Sequence, residues 1–493
     1  MNLLSPSTIL IVLAIYFTVL YVISYFTSKG SDNNSFFTAN KNSSWILVAI
    51  GMIGASLSGV TFISIPGAVG AGGKNMAFSW MQMVMGFLVG YFIIATVLMP
   101  IYYKLKLVSI YEYLEQRLGF YSYKTGAAYF ILSRIIGASF RLFLVAMVFH
   151  KFIAEPFGVS FIFTVVCTIL LIWLYTFKGG IKTIVWTDTI QTIFMLLAVM
   201  FTIYFIMQGM DASLGDVYST ISNSDYSQLL FFEEGWSDPN NFFKQFISGI
   251  LITIVMTGLD QDMMQKNLTC RSLGEAQKNV FLFSIVLIFA NILFLSLGAL
   301  LYIYAAHIGI EIPAKTDQLY PIIALEHLPA AVGIIFIIGL IAAAYSSADS
   351  ALTALTTSFC IDFLNFNKKE RTEEKKKKLR ILVHIGFSLV LLVIIVIFNN
   401  LEGSAVINKL FEWAGYTYGP ILGLFAFGIF TKRRIVDHWV IPIAILAPVL
   451  SYIINANSIA WFGGLELGFL IIAVNGLLTF VGLLMISKKP SFN

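Results

Sequence analysis

The sequence predicts an all-α integral membrane protein of about 13 transmembrane helices, and three observations predict it. Hydrophobic residues fill 58% of the 493 positions and charged residues 12%, a balance that soluble domains do not show. The apolar residues gather in runs of about 20, the length a helix needs to cross a bilayer. Within the runs hydrophobicity is continuous rather than alternating, which excludes a transmembrane barrel.

The runs fall at 7–27, 45–70, 77–103, 125–150, 160–177, 184–209, 245–265, 279–306, 331–363, 380–399, 404–431, 438–455 and 465–487. The first follows no basic stretch, so it reads as a spanning helix rather than a cleaved signal. An odd count puts the termini on opposite sides, and the basic residues choose which. With the N-terminus outside, the inner loops hold 24 Lys and Arg, among them Lys266, the cluster KKERTEEKKKKLR at 368–380 and the KRR at 432–434. The outer loops hold four: Lys74, Lys151, Lys244 and Lys315. The expected placement is therefore a cell membrane, N-terminus outside and C-terminus cytoplasmic.

The outer loop 210–243 is acidic. The inner cluster faces anionic membrane lipid, so the net charge of +5 is a topology signal and implies no nucleic acid. Cys167, Cys270 and Cys360 lack metal-ligand spacing, and the five histidines form no H-E-x-x-H pattern. These absences argue against a membrane enzyme. No filter-like loop suggests a channel, and the tail ISKKPSFN is too short for a sensor's output domain.

Two spans carry signs of interruption. The second reads IGMIGASLSGVTFISIPGAVGAGG; Pro66 lacks an amide donor and the surrounding glycines weaken the helix, so a break is expected near Pro66. Broken backbone survives at membrane depth only where it lines a cavity or meets a ligand. The seventh, ISGILITIVMTGLDQDMMQK, is a milder case around Thr253, Thr257 and Gly258. Paired interruptions in two halves are the pattern of inverted-repeat transporters.

Apart from Arg380, which closes the inner cluster at the edge of its run, only Arg134, Arg141 and Lys409 among the basic residues fall inside the runs; the acids there are chiefly Asp188 and Asp349, with Glu412, Asp260 and Asp262 near run ends. A charge at mid-bilayer costs about 2.5–3.5 kcal/mol on insertion scales, so each is a functional candidate. In AAAYSSADSALTALTTS (342–358), Ser346, Asp349, Ser350 and Thr353 recur at helical spacing on one face, with Ala343 a turn earlier and Ser347 flanking. Hydroxyls here and carbonyls from a broken helix together offer the oxygens a small hard cation takes. The plainer reading, serines bonded back to their own helix, leaves Asp349 unexplained.

At these residues the chain resembles the sodium/solute symporter family, which includes bacterial sodium/galactose and sodium/sialic acid transporters. Six segments match in order: ASLSGVTFISIPG, YKLKLVSIYEYLEQRLG, KGGIKTIVWTDTIQ, QDMMQKNLTCRSLGEAQKN, AAAYSSADSALTAL and YGPILGLFAFGIFTKR. The resemblance implies a five-plus-five inverted repeat like that of the bacterial leucine transporter, working by alternating access. It divides the chain into a leading helix and inner loop (1–44), a first repeat (45–209), an external loop (210–243), a second repeat (244–431) and two trailing helices with a short tail (432–493).

It also implies a main Na+ site from the carbonyls of Gly54, Leu57 and Ala343 and the hydroxyls of Ser346 and Ser347. A second cation, sodium or proton, is implied at Asp188, Asp349 and Ser350; Asp349 stands where the sialic acid member has Ser. Ser56, Ser58, Thr61, Gln82 and Thr253 occupy substrate positions, and Arg141 aligns with a carboxylate clamp. Because Thr253, Met256 and Thr257 include no aromatic residue, an acidic sugar or other organic carboxylate fits better than a neutral hexose. The expected partners are that small-molecule substrate, sodium and lipid, with the monomer as working unit. A proton-coupled symporter and a sodium/neutral sugar symporter remain alternatives.

Overall fold

A computed structural model of the chain describes residues 6–27, 29, 33–233, 235–366, 371–399 and 406–488. Of the basic residues assigned to inner loops, Lys368, Lys369 and Lys489 lie outside the described residues, as do positions 404–405 of the eleventh run.

The spanning elements, in chain order, are α1 (Pro6–Thr27), α2 (Trp45–Ser56), α3 (Gly59–Ala68), α4 (Trp80–Ile93), α5 (Phe120–Phe149), α6 (Phe161–Gly209), α7 (Phe242–Thr253), α8 (Gln261–Asn267) and α9 (Leu273–Ile308). They continue with α10 (Ala330–Ser358), α11 (Glu373–Phe398), α12 (Val406–Phe430), α13 (Val440–Trp461) and α14 (Ile471–Met485). Among the described residues nine helices are long and apolar enough to cross a membrane, and two further spans are bent pairs. The other two expected spans are the first part of α6, separated from the rest by a kink at Gly180 (φ 54°, ψ −146°), and α12. A side chain at Gly180 would stand 2.4 Å from Phe36 Cδ2, so glycine there serves both the positive φ and the close approach.

Burial separates core from periphery. In the Ala330–Phe363 and Phe120–Phe157 spans, 72% and 67% of the apolar window is buried, against 22% for the spans containing α1, α11 and α13. Helices buried all round are the ones rich in small and polar residues, and α10 is buried without interruption from Gly339 to Ser358. Its alanines and serines let α6 and α2 approach closely. At one end of the bundle a two-residue antiparallel ladder pairs Arg434 with Lys488 and Ile435 with Ser487, tying the segment after α12 to the chain's last described residues.

Both interruptions are present, and the first is displaced from its expected place. α2 and α3 meet at 53°, with the break at Leu57 (φ −82°, ψ 78°) and Ser58 (φ −81°, ψ 179°) rather than at Pro66. Pro66 lies near the end of α3, where its missing amide withdraws one hydrogen bond from a short helix. The second bend, 67° between Phe242–Gly258 and Gln261–Asn267, is the sharper of the two. It follows a π-turn over Ile254–Gly258, and α8 restarts with Asp260 as its cap, the carboxylate accepting the amides of Asp262 (2.9 Å) and Met263 (3.3 Å).

Candidate functional site: a cation cradle and a cavity with an unpaired arginine

The break between α2 and α3 frees carbonyls that α10 meets with hydroxyls. Ser346 Oγ donates to Gly54 O at 3.0 Å and lies 3.4 Å from Ala343 O. Ser347 Oγ donates to Ala344 O at 3.0 Å and is also 3.4 Å from Ala343 O. Leu57, with ψ 78°, leaves the helical ladder at the end of α2. Gly54, Ala343, Ser346 and Ser347 are thus brought together, all buried. The donor set consists of neutral oxygens, as suits a hard monovalent cation, and the residues fit sodium. Gly54 is required by packing: a Cβ there would lie 2.3 Å from Thr192 Oγ1.

Next to this cradle is a partly open cavity, with about 720 Å³ of atom-free space when the solvent at its mouth is counted. Ser56, Ser58, Thr61, Arg141 and Thr253, five of the six residues expected to touch substrate, line it. Gln82 does not. Its amide donates to Asn240 O (2.8 Å) and accepts from Phe231 N (3.1 Å), so it anchors the backbone at Phe231 and Asn240 instead. α4 presents Trp80, Phe87 and Tyr91 to the cavity in its place, and Phe411 comes from α12. Sequence reasoning missed these aromatics, although 80, 87 and 91 share one helical face. Trp80 Nε1 is already used on Asn291 (2.8 Å).

Arg141 is the unusual member. It is buried, and its Nε and Nη1 find no hydrogen-bond partner among the described residues. Arg134, two turns earlier on α5, lines the same cavity, but it is ion-paired to Asp262 and lies 3.8 Å from Asp260. Among the described residues the cavity wall therefore carries one ion-paired guanidinium, Arg134, and one, Arg141, with no carboxylate paired to it.

Below the cavity α8 is held from several directions. Tyr418 donates to Asp260 at 2.5 Å, Tyr111 to Leu259 O at 2.8 Å and Tyr102 to Gly258 O at 2.9 Å. Gln261 bonds Ile110 N and Val108 O through its two amide atoms. At the far end of α8, Lys266 Nζ stands 2.6 Å from Asp188 Oδ2. The sequence reading placed Lys266 in an inner loop; the 67° bend carries it back into the protein, 1% exposed.

The residues expected around a second cation are divided among these contacts. Asp188 is paired with Lys266, and Ser350 donates its hydroxyl to Asp262. Asp349 is fully buried on the α10 face and interacts electrostatically with Tyr16 of α1, as does Asp188.

A sequence model described as the sodium:solute symporter family matches residues 36–436. The sodium/sialic acid symporter NanT of Aliivibrio fischeri is 24% identical over 469 residues, covering 92% of this chain and 89% of its own. The sodium/sialic acid symporter SiaT of Proteus mirabilis is 25% identical, with coverages of 83% and 82%. Among solved structures, the substrate-bound outward-open state of a Na+-coupled sialic acid symporter superposes with a TM-score of 0.81 at 21% identity, over 98% of this chain and 99% of that one. Mhp1, a nucleobase-cation-symport-1 family transporter, gives 0.58 at 12% identity over 92% and 94%.

Proposed function

The chain belongs to the sodium:solute symporter family, so it is a multi-pass membrane protein that moves an organic solute with sodium, and we propose that the solute is an acidic sugar of the sialic acid kind or a similar carboxylate. The observation that carries this reading is Arg141, a buried guanidinium facing the cavity with two nitrogens unpartnered among the described residues. A buried charge without a partner is costly, and a planar carboxylate is its natural complement, bound through two parallel hydrogen bonds. The hydroxyls of Ser56, Ser58, Thr61 and Thr253 suit a polyhydroxyl body. Trp80, Phe87, Tyr91 and Phe411 offer faces for its apolar side. Two of the relatives are sodium/sialic acid symporters by name.

In this reading the coupled sodium occupies the oxygens of Gly54, Leu57, Ala343, Ser346 and Ser347. The half-helix ends beside it contribute partial negative charge without a carboxylate. With the N-terminus outside and the C-terminus inside, sodium enters from outside. It falls through the membrane potential, worth about 2.3 kcal/mol per charge per 100 mV, and the solute is carried inward. The bend at Leu57–Ser58 and the bend at Leu259–Asp260 supply the joints for alternating access.

Uptake of N-acetylneuraminate by proteoliposomes under an inward sodium gradient tests the reading. Accumulation is expected with sodium and lost when choline replaces it at fixed pH. Accumulation that persists in choline and follows a proton gradient would establish the proton-coupled alternative. A neutral hexose taken up in preference to the carboxylate would remove the role given to Arg141.

A further inference from the structure

Asp262 stands where contacts from the two ligand sites meet. Its Oδ1 accepts the Ser350 hydroxyl, and its Oδ2 is paired with Arg134. Ser350 is one turn along α10 from Ser346, the hydroxyl that reaches Gly54 O in the cation cradle. Arg134 lines the substrate cavity together with Arg141. Asp262 itself belongs to neither site. It sits at the start of α8, beyond the 67° bend, and is 1% exposed.

We propose that Asp262 is a positioning residue that couples the two sites, held in place when sodium occupies the cradle and released when a substrate carboxylate arrives; the proposal rests on the symporter reading above. A cation beside Ser346 and Ser347 lies on the Ser350 side of Asp262 and attracts its carboxylate. Sodium alone therefore keeps α8 docked and the inner side shut. A carboxylate bound at Arg141 brings negative charge into the cavity that Arg134 also lines. Arg134 is then shared between the substrate and Asp262, and the clamp on α8 weakens only when both ligands are present. Such a two-position side chain is the discrete element that coupling between sites requires. A buried ion pair suits the role, because losing part of its pairing biases the docked state strongly.

Two readouts on the full-length protein in proteoliposomes test this: radioactive sodium flux without solute, and N-acetylneuraminate affinity at high and low sodium. Asp262→Asn is expected to raise solute-independent sodium flux about tenfold and to cut the effect of sodium on affinity to under about twofold, within the usual range of site coupling. Ser350→Ala, which removes only the contact from the cation side, is expected to shift both readouts the same way by less. Asp262→Asn protein with tight sodium flux and an undiminished sodium effect would overturn the proposal. If Asp262→Asn does not fold, Ser350→Ala decides by the same two readouts. The sodium flux arm needs no solute, so a wild-type protein that ignores N-acetylneuraminate would sink the substrate reading and leave Asp262 still to be judged by the leak.

Discussion

Lys266 Nζ lies 2.6 Å from Asp188 Oδ2, and neither side chain is more than 1% exposed. Pairs of this kind stabilise little in net terms, because two desolvated charges offset most of their attraction, yet removing one partner strands the other. Lys266→Met and Asp188→Leu are each expected to destabilise the protein by about 3–5 kcal/mol. The double variant is expected to recover most of the loss. Thermal unfolding in detergent, with all three variants compared, checks the expectation; additive losses in the double variant would mean that the two residues do not act as a pair.

The same contact bears on stoichiometry. With Lys266 supplying the countercharge at Asp188 and Ser350 engaged by Asp262, one sodium per solute is the expected ratio. Reversal potentials in proteoliposomes measure it. A ratio of two would mean either that Lys266 leaves Asp188 during the cycle or that the second cation is held by Asp349, which is buried on α10.

Arg141 is expected to behave in the opposite way to Lys266. Its Nε and Nη1 have no partner among the described residues, so Arg141→Ala strands nothing and leaves thermal stability unchanged or higher. Its cost falls on the carboxylate ligand instead: truncating one member of a buried charge pair costs about 2–5 kcal/mol, or at least about thirtyfold in Kd. Arg141→Lys keeps the charge but loses the fork, and is expected to fall between. Calorimetry with N-acetylneuraminate, beside the unfolding curves, separates the two effects. Equal affinity in wild type and Arg141→Ala would remove the clamp.

What the sequence made legible depended on whether a local rule decided the outcome. The hydroxyl face of Ser346, Ser350 and Thr353 follows from helical spacing, the pairing of Ser346 with Ser347 around a cation came from the family resemblance, and Arg141 stood out because a charge inside an apolar run demands an explanation. The position of the first break was not local. Pro66 is the stronger sequence signal, yet the chain turns at Leu57–Ser58, flanked by Gly54, which packs on Thr192, and Gly59, which packs on Val145. Gln82 does not face the cavity because the backbone of Phe231 and Asn240, distant in sequence, captures its amide. Lys266 looked like a loop residue because nothing in its neighbourhood announces a 67° return into the bundle.

Gly54 offers a test of that packing. A methyl group there would meet Thr192 Oγ1 at 2.3 Å and Asp188 O at 3.3 Å, so Gly54→Ala pushes α2 off α6 and displaces a carbonyl of the cation cradle. A weaker apparent sodium affinity is expected, with the cavity's carboxylate binding at saturating sodium little changed. Thr192→Ala removes the obstructing oxygen, and the double variant is expected to regain most of the sodium affinity. Titrating sodium in a thermal-shift assay reads all three; a double variant no better than Gly54→Ala would place the defect elsewhere.

The cradle itself is tested by its hydroxyls. Ser346→Ala and Ser347→Ala remove one oxygen each from fully buried positions and leave α10 otherwise intact. Both serines bond neighbouring carbonyls at 3.0–3.4 Å, contacts that neutral groups value at about 1 kcal/mol, so stability measured without sodium should change little. A cation values them more: at about 1.5 kcal/mol or above per charge-assisted contact, each substitution is expected to raise the sodium concentration for half-maximal uptake about tenfold. The double variant is expected to lose sodium-driven accumulation altogether. Uptake measured across a sodium series decides the matter, and a double variant that concentrates solute with wild-type sodium dependence would show that the ion binds somewhere other than between α2 and α10.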